Sequence, residues 1–382
     1  MTPANDPIQS VEQELIPRID HGAFVTVRLP FVHPFGTSVQ VWTHKEALLL
    51  RLTSGQTVAW GECVADPDPF YMPETTQTAR HIIRDFLLPL VEPGLSMGEL
   101  VRRFTHCRGH GMAKATVENA LLNLIALQKQ IPLHDLLGAP AKPIMSGVSI
   151  GLQDSMDELL GAVAKAVSRN YHRVKIKIER GRDVEWVRRV RDRFPDLQLM
   201  VDANGAFTLD DAPLLKQLDA FHLSMIEQPL SYADIHQHAL LQRSLETPLC
   251  LDESILGLDE AVAAVALGAC RILNIKQGRV GGLIPSMRIA RFAAEHGVGV
   301  WSGGMDETGI GRAVNIHLQT TPGFTIPGDT SETCNYFEED IIDKPVTLDP
   351  EGYIAIPEGS GLGVNVLPDR LMHSMVDWEL IR

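Results

Sequence analysis

Short apolar runs recur through the middle of the chain, and several of them end in a charged residue. The series from Arg173 to Arg279 contains Arg173-Val-Lys175-Ile-Lys177, Leu199-Met-Val-Asp202-Ala-Asn204, Ser224-Met-Ile-Glu227-Gln-Pro229, Leu249-Cys-Leu-Asp252-Glu253 and Ile272-Leu-Asn-Ile-Lys276. Successive runs are about 25 residues apart, which is enough for one strand, one helix and two short loops. The pattern predicts consecutive βα units with charged side chains at the strand ends.

Strand and helix patterns alternate across residues 143–340. Strands are predicted at 144–150, near residues 176, 200, 226, 251, 275 and 300, and at 324–327. The sequences between them have the apolar spacing of amphipathic helices. Alternating units of this kind form a parallel sheet covered by helices. About eight of them predict an α/β fold, a modified TIM (β/α) barrel, whose last unit could be incomplete.

A different pattern precedes the barrel. Three strands with alternating apolar residues are followed by two stretches with helical periodicity, at 23–29, 47–52 and 58–62, then at 76–88 and 113–129. Strands followed by helices predict a small α+β capping domain, which we place at residues 21–142.

The two ends of the chain and two loops complete the predicted organisation. Residues 1–20 are polar and aperiodic and predict a loose N-terminal tail. The segment 341–382 has a strand-like stretch at 353–356 and is predicted to return to the cap. Loops are predicted at 34–38, where the chain is expected to move, and at 66–74.

Composition and charge exclude several classes of protein. The formal net charge is −14 and no cluster of Lys and Arg occurs, which argues against a nucleic-acid partner. No apolar run approaches the roughly 20 residues of a membrane span, and the first residues lack a signal-peptide pattern. The five cysteines are scattered and form no CxxC pair. This pattern favours neither disulfides nor a zinc cluster and predicts a cytoplasmic protein.

Three acidic residues, Asp202, Glu227 and Asp252, are predicted to end consecutive strands. Neighbouring strands lie about 4.8 Å apart, so the three carboxylates can converge. Because three converging carboxylates would repel one another, we expect a cation between them. Ligands that are all oxygen atoms favour Mg²⁺ or Mn²⁺ over zinc. The alternative is that these residues are solvated loop acids or partners in salt bridges.

Three lysines are predicted at the same edge of the barrel. Lys175 and Lys177 are two residues apart and share one face of their strand, and Lys276 is predicted across the barrel from Lys177. Two lysines facing each other over a metal suggest proton transfer at a carbon between them. A lysine base has to be neutral, and burial beside a metal ion and other lysines is expected to depress its pKa. The alternative is that the lysines form structural ion pairs with the carboxylates.

These motifs resemble those of the enolase superfamily, in its muconate-lactonizing subgroup, and the similarity covers nearly the whole chain. Six further segments resemble the o-succinylbenzoate synthase/N-acylamino acid racemase family. They are Trp60-Gly-Glu-Cys, Met112-Ala-Lys-Ala, Gly147-Val-Ser-Ile-Gly, Asn274-Ile-Lys-Gln-Gly-Arg-Val-Gly-Gly, Gly303-Gly-Met-Asp-Glu-Thr-Gly-Ile-Gly-Arg and Pro327-Gly-Asp-Thr-Ser. In that family one protein can catalyse either reaction, or both.

The resemblance implies a divalent-metal-dependent enzyme that removes the proton α to a substrate carboxylate. Lys177 and Lys276 would be the catalytic pair. Asp202, Glu227 and Asp252 would hold Mg²⁺ or Mn²⁺. In the synthase, a dehydration of the menaquinone pathway, Lys177 would return its proton to the departing hydroxyl and Lys276 would stabilise the anion. In the racemase, Lys276 would reprotonate the opposite face of the carbon.

The resemblance also implies contacts to a small-molecule carboxylate substrate and a homo-oligomeric state. The predicted substrate-binding residues are Lys175, Ser149, Asn204, Arg279, Gly304, Met305 and Asp306. Glu253, and in part Asn204, are predicted to support the site from behind. Arg279 matches an arginine of family members that racemise, which favours a retained racemase activity.

Two positions depart from the family pattern. Asp306 stands where an apolar residue is usual next to the substrate, and Gly36 replaces a larger residue in the mobile loop of the cap. A carboxylate beside the substrate would disfavour an apolar side chain and could favour a cationic group. The alternative is that Asp306 turns to solvent or caps a helix predicted at 307–318.

Two other functions share some of these features. A muconate-type cycloisomerase or a dipeptide epimerase would use the same lysines and carboxylates. A non-catalytic binding protein on a barrel scaffold would not need an opposed pair of bases, so the lysines argue against it. A substrate panel assayed with and without Mg²⁺ separates these hypotheses.

Overall fold

A computed structural model describes residues 6–37 and 41–381. The cap contains an antiparallel sheet of four strands in the order β13-β1-β2-β3. Its strands are β1 (His21–Gly36), β2 (Val41–Ser54), β3 (Thr57–Cys63) and β13 (Met375–Leu380). A Cβ atom on Gly61 of β3 would lie 2.2 Å from the carbonyl oxygen of Thr116, so a long helix packs directly against this strand.

The second domain contains a parallel sheet of seven strands in sequential order from β5 to β11. These strands are β5 (Gly147–Ile150), β6 (Arg173–Lys177), β7 (Leu199–Asp202), β8 (Ile226–Glu227), β9 (Leu249–Leu251), β10 (Ile272–Ile275) and β11 (Gly299–Ser302). A separate pair is formed by β4 (Ile144–Met145) and β12 (Tyr353–Ile354). The strands are short and rich in Val, Ile and Leu, as expected for a sheet that is buried on both faces.

Helices cover the sheets and connect the strands. They are α1 (Pro7–Glu12), α2 (Thr76–Ile82), α3 (Met97–Phe104), α4 (Gly111–Lys129), α5 (Leu133–Leu136), α6 (Met156–Ser168), α7 (Val184–Arg193), α8 (Ala212–Leu215), α9 (Ile235–Ser244), α10 (Leu258–Leu267), α11 (Gln277–Val280), α12 (Leu283–Glu295), α13 (Gly309–Gln319) and α14 (Pro368–Ser374). Several of them begin at a residue whose side chain caps the helix. Ser155, for example, accepts a hydrogen bond from the backbone N–H of Glu158 and forms a capping box at α6. The predicted α/β fold, a modified barrel with an α+β cap, is confirmed.

The eighth barrel strand, predicted at 324–327, is not a regular strand among the described residues. Phe324 forms one isolated parallel bridge with Val300, and Gly328 forms another with Ser146. This segment therefore lies between the last and first strands without a continuous ladder of hydrogen bonds. Pro327 contributes to the interruption because proline cannot donate a backbone hydrogen bond.

The prediction of a loose tail is wrong for residues 6–20. Residues Pro7–Glu12 form α1, which is capped by Asp6 and buries Ile8 and Val11. Ile16 is also buried, and its backbone N–H donates to Leu95 of the cap. The apolar residues are too few to show periodicity in the sequence, yet Ile8, Val11, Ile16 and Ile19 pack into the core.

The predicted mobile loop begins inside a strand. Residues 34–36 belong to β1, and Gly36 pairs with Val41 of β2. Ser38, the last residue of the predicted loop, lies outside the described residues.

The C-terminal segment does return to the cap, because β13 pairs antiparallel with β1. The exact domain boundaries remain predictions. None of the helices in the described part of the chain is long and apolar enough to cross a membrane.

Candidate active site

Three acidic side chains lie at the carboxyl ends of neighbouring barrel strands. Asp202 ends β7 and pairs in register with Glu227, which ends β8, while Asp252 directly follows β9. All three are at most 1% exposed. The predicted strand ends thus place three carboxylates at one edge of the sheet, where barrel enzymes carry their active sites.

Lys175 and Lys177 both reach these carboxylates from β6. The Nζ atom of Lys175 lies 3.1 Å from Glu227 Oε2 and 3.5 Å from Asp202 Oδ2. The Nζ atom of Lys177 lies 2.6 Å from Asp202 Oδ2 and donates to Asn204 Oδ1 at 2.7 Å. Their two-residue spacing therefore points both ammonium groups to the same side of the strand, as predicted.

Lys276 approaches from the opposite side of the carboxylate group. It follows β10, and its Nζ atom lies 3.0 Å from Asp252 Oδ2 and 2.8 Å from the phenolic oxygen of Tyr71. The strands β7, β8 and β9 separate it from Lys177 in the sheet. Both lysines line one cavity, so a substrate in that cavity would lie between them.

The charges perturb one another strongly. Burial, and then repulsion from Asp202, raise the pKa of Glu227 to about 8. Burial alone would raise the pKa of Asp202. The attraction of Lys177 and Lys175 lowers this pKa by more than burial raises it, so the net shift is downward. The lysine partners thus favour the ionised form of Asp202, while burial and the neighbouring Asp202 favour the protonated form of Glu227.

The protein's own charges raise the pKa of Lys276. Burial lowers its pKa, but attraction to Asp252 raises it more, and the net shift is upward. The same balance holds at Lys175, where Asp329 and Glu227 oppose the effect of burial. Direct contacts with carboxylates therefore outweigh burial at both lysines, and a depressed lysine pKa beside a bound cation stays a prediction.

The donor set fits a hard divalent cation in its chemistry. It supplies only buried oxygen atoms, which are the ligands that such a cation prefers. Asp202 and Asp252 lie close enough to Glu227 for their negative charges to raise its pKa. Among residues 6–37 and 41–381, however, no three acidic, His or Cys side chains stand as a ready-made metal cluster. Lys175 bridges Asp202 and Glu227, while Lys276 engages Asp252, so each carboxylate has a cationic partner.

The cavity beside the lysines contains most of the predicted substrate-binding residues. Those that line it are Lys175, Ser149, Asn204, Gly304, Met305 and Asp306. The buried hydroxyl of Ser149 has no hydrogen-bond partner among the described residues, so it is available to a ligand. Glu253 lies behind this layer, where its Oε1 atom accepts a hydrogen bond of 2.8 Å from Asn204 Nδ2.

The prediction that Arg279 contacts substrate is not supported by its position. Its guanidinium is 2% exposed and lies behind Asp252, with Nη1 2.5 Å from Asp252 Oδ1. The remaining donors reach the backbone carbonyls of Ile255 and Asn274. Arg279 therefore orients a carboxylate from behind instead of lining the cavity.

The helix-cap interpretation of Asp306 is wrong. Helix α13 begins at Gly309, and Thr308 provides the N-cap by accepting a hydrogen bond from the N–H of Ile310. Asp306 instead lies in the preceding loop and lines the cavity. Gly36 does not line it, although its neighbours Phe35 and Thr37 do.

Three residues of the site received no specific role from the sequence. Asp329 follows the irregular eighth segment and accepts ion pairs of 2.6 Å from both Lys175 and Arg173. Tyr71 comes from the cap loop and touches Lys276. Lys45, on β2, lines the cavity with them. Asp329 could have been found as the next strand-end acid in the series, but Tyr71 and Lys45 have no such periodic signal.

Comparisons with known proteins agree with this geometry. Residues 21–138 match the family model of the mandelate racemase / muconate lactonizing enzyme N-terminal domain. Residues 158–370 match the model described as enolase C-terminal domain-like. Enzymes of this family are generally dependent on a divalent metal and act on small carboxylate substrates.

Individual relatives resemble nearly the whole chain. An o-succinylbenzoate synthase from Geobacillus stearothermophilus is 46% identical over 87% of this chain and 89% of its own length. An N-succinylamino acid racemase from an Amycolatopsis species is 42% identical over 90% of this chain and 94% of its own. The crystal structure of an enolase-superfamily member from Enterococcus faecalis V583 matches with a TM-score of 0.89 and 41% identity, covering 97% of this chain and all (100%) of that one. The chain therefore belongs to the enolase superfamily, within its mandelate racemase/muconate lactonizing group and among the o-succinylbenzoate synthases and N-succinylamino acid racemases.

Proposed function

We propose that this protein is an enolising enzyme that abstracts the proton α to a substrate carboxylate. Its reactions would be o-succinylbenzoate synthesis by dehydration, N-acylamino acid racemisation, or both. The observation that carries this proposal is the placement of Lys177 and Lys276 in one cavity, on opposite sides of three buried carboxylates. Simple binding of a ligand would not require two such opposed proton carriers.

Lys177 would remove the α proton, and the charge that develops on the substrate carboxylate would be stabilised by nearby ammonium groups. In the racemase reaction, Lys276 would deliver a proton to the opposite face of the same carbon. In the synthase reaction, Lys177 would return its proton to the departing β-hydroxyl while Lys276 remains charged beside the anion. Stabilisation that is stronger in the transition state than in the ground state accelerates such a reaction.

We propose that Asp202, Glu227 and Asp252 hold Mg²⁺ or Mn²⁺. The bound cation would bind the substrate carboxylate, offset the negative charge that forms on it, and lower the pKa values of the adjacent lysines. Asn204 and Glu253 would support the site, since Asn204 links Lys177 to Glu253 through two hydrogen bonds. Lys175, which also lines the cavity, would hold Asp202 and Glu227 in position and contact the substrate carboxylate.

The other substrate contacts are assigned from the lining of the cavity. We propose that Ser149, with its unpartnered hydroxyl, and the loop residues Gly304 and Met305 bind the acyl part of the substrate. A cycloisomerase or dipeptide epimerase is the alternative that uses the same lysines. Relatives named as synthase and racemase at 42–46% identity support the first proposal over this alternative.

We also propose a cytoplasmic homo-oligomer. Cys63, Cys250 and Cys270 are buried free thiols, which suits a reducing compartment. The edge strand β13 exposes Trp378 by 54% and Leu380 by 59%, an apolar edge that a second copy of the chain could cover. Sedimentation of the purified protein tests this assembly, and a monomer at all concentrations would contradict it.

A substrate panel tests the proposed function. The purified protein is assayed with the synthase substrate, N-succinylamino acids, dipeptides and muconate, with and without added Mg²⁺. We expect metal-dependent turnover of the first or second class. Turnover of dipeptides or muconate alone would support the alternative, and tight binding without any turnover would contradict the assignment as an enzyme.

A further inference from the structure

Asp306 occupies a backbone conformation that fixes its carboxylate on the wall of the active-site cavity. It lies in the loop between β11 and α13 with φ = 54°, in the left-handed region that residues other than glycine seldom adopt. Thr308, two residues later, is anchored as the cap of α13 and bonded to Glu62 of the cap domain. The loop therefore holds a strained residue in place, a feature that is commonly found at functional sites.

The carboxylate of Asp306 has no close counterion in the described part of the protein. No hydrogen bond and no ion pair within 4.0 Å joins it to another described residue. Lys45, the cation that most strongly lowers the pKa of Asp306, lies 3.3 Å from Asp66 Oδ1 and 3.3 Å from the carbonyl oxygen of Val64. Lys45 therefore pairs with Asp66 and does not contact Asp306.

Arg312 is the other cation near Asp306, but it forms no ion pair with it within 4.0 Å among the described residues. Its Nε and Nη1 atoms donate to the backbone carbonyls of Glu307 and Ser331, its guanidinium packs over the ring of Tyr336, and its buried Nη2 atom has no hydrogen-bond partner among the described residues. Glu307 is a further nearby acid. The wall therefore has a surplus of negative charge, and burial makes an unpaired carboxylate there costly.

Aromatic side chains face the same cavity. Phe31, Phe35, Trp42 and Tyr336 line it together with Asp306. Aromatic faces attract ammonium and guanidinium groups and pack against the methylene chains that carry them. A carboxylate within an aromatic wall is suited to a long side chain that is apolar along its length and positively charged at its end.

We propose that Asp306 is a specificity residue that binds a cationic group of the substrate. The preferred substrate would be an N-acyl derivative of a basic amino acid, with an amine or a guanidinium at the end of its side chain. This inference rests on the proposed function for the reaction itself, and it adds the substrate class. The α carbon would lie between Lys177 and Lys276, with the side chain extending to Asp306 along the aromatic wall.

The test compares substrates that have the same shape and different charge. Nα-succinyl-lysine, Nα-succinyl-arginine and the uncharged Nα-succinyl-norleucine are assayed for racemisation and, by calorimetry, for binding. Hydrogen bonds to charged groups are among the stronger ones, so we expect a preference of about tenfold or more in kcat/KM for the cationic substrates. Asp306→Asn should reduce this preference to near unity, and Asp306→Leu should reverse it in favour of norleucine.

An exposed acid provides the control. Glu338→Gln removes one negative charge from the surface and should keep the wild-type preference. A wild-type enzyme that prefers norleucine, or a ratio that Asp306→Asn leaves unchanged, would overturn the inference. A lack of racemase activity gives a different result, because none of the three compounds would be racemised. In that case calorimetry still decides the question, since the cationic compounds must bind more tightly to the wild type than to Asp306→Asn.

Discussion

The ammonium group of Lys276 lies 2.8 Å from the phenolic oxygen of Tyr71, although the two residues are 205 positions apart in the sequence. Tyr71 belongs to a loop of the cap, whereas Lys276 follows a strand of the barrel. The same phenol donates a hydrogen bond of 3.4 Å to Asp252 Oδ2. The cap therefore supplies a side chain that orients both a proposed proton carrier and a proposed metal ligand.

Tyr71→Phe is expected to lower kcat/KM by about tenfold or more, because it removes a hydrogen bond to a charged group without changing the aromatic packing. The effect should be smaller than that of Lys276→Ala. Steady-state kinetics with a racemised substrate measures it. Phe70→Leu, in the same loop at a side chain that is 69% exposed, is the matched control and should have little effect. Equal losses in the two variants would contradict a specific role for the phenol.

Asp202→Asn is expected to weaken the binding of Mg²⁺ or Mn²⁺ by at least tenfold, since one of three proposed anionic ligands becomes neutral. Isothermal titration calorimetry measures the affinity directly and does not depend on activity. Asp210→Asn alters an exposed acid in the short 3-10 helix that follows the same strand and should retain wild-type affinity. Unchanged metal binding in Asp202→Asn would refute the proposed ligand set.

Asp329→Asn is expected to lower the free energy of unfolding by about 3–5 kcal/mol, because it leaves buried cations without their partner. Arg173 and Lys175 each lie 2.6 Å from this carboxylate. Urea unfolding measures the loss. The exposed Asp369→Asn serves as the control. A loss below about 1 kcal/mol, typical of surface ion pairs, would show that Asp329 does not anchor these cations.

Glu62 predicts a pH dependence of stability that involves the contact between cap and barrel. It accepts hydrogen bonds from the backbone N–H groups of Thr308 and Gly311, and burial raises its pKa to about 7 from a usual value of 4.5. Because the folded state holds this proton more tightly than the unfolded state, the associated stability is present below about pH 4.5 and is lost as the pH rises through about 7.

Glu62→Gln isolates that contribution, because glutamine does not titrate. We expect the stability of the wild type relative to this variant to fall by an amount on the order of 3 kcal/mol between pH 4.5 and 7.5. Chemical denaturation across this range measures the difference. Parallel stability curves for the two proteins would contradict the raised pKa of Glu62.

The period of the strand ends made much of the site predictable from sequence. Asp202, Glu227 and Lys276 all follow short apolar runs, and parallel strands bring such positions to one edge. The positions of Lys175 and Lys177 were equally predictable, because a spacing of two residues in a strand places both side chains on the same face. These relationships depend on local pattern and on a regular repeat.

Other parts of the site depend on contacts that no local pattern encodes. Tyr71 reaches Lys276 only because the cap docks on the barrel, and Lys45 reaches Asp66 across the cap sheet. Arg279 has the chemistry of a substrate anchor, but its backbone position directs it behind Asp252. The shifts of the lysine pKa values also depended on distances to carboxylates, which the sequence could not supply.

The exchange of α protons with solvent tests the central claim most directly. In D2O with Mg²⁺, ¹H NMR follows the loss of the α proton from each enantiomer of an N-succinylamino acid. We expect the wild type and the exposed-lysine control Lys165→Ala to exchange both enantiomers. Lys177→Ala should lose exchange of one enantiomer and Lys276→Ala that of the other, each by about a hundredfold or more. Exchange of both enantiomers at wild-type rates in either variant would contradict the opposed pair of lysine bases.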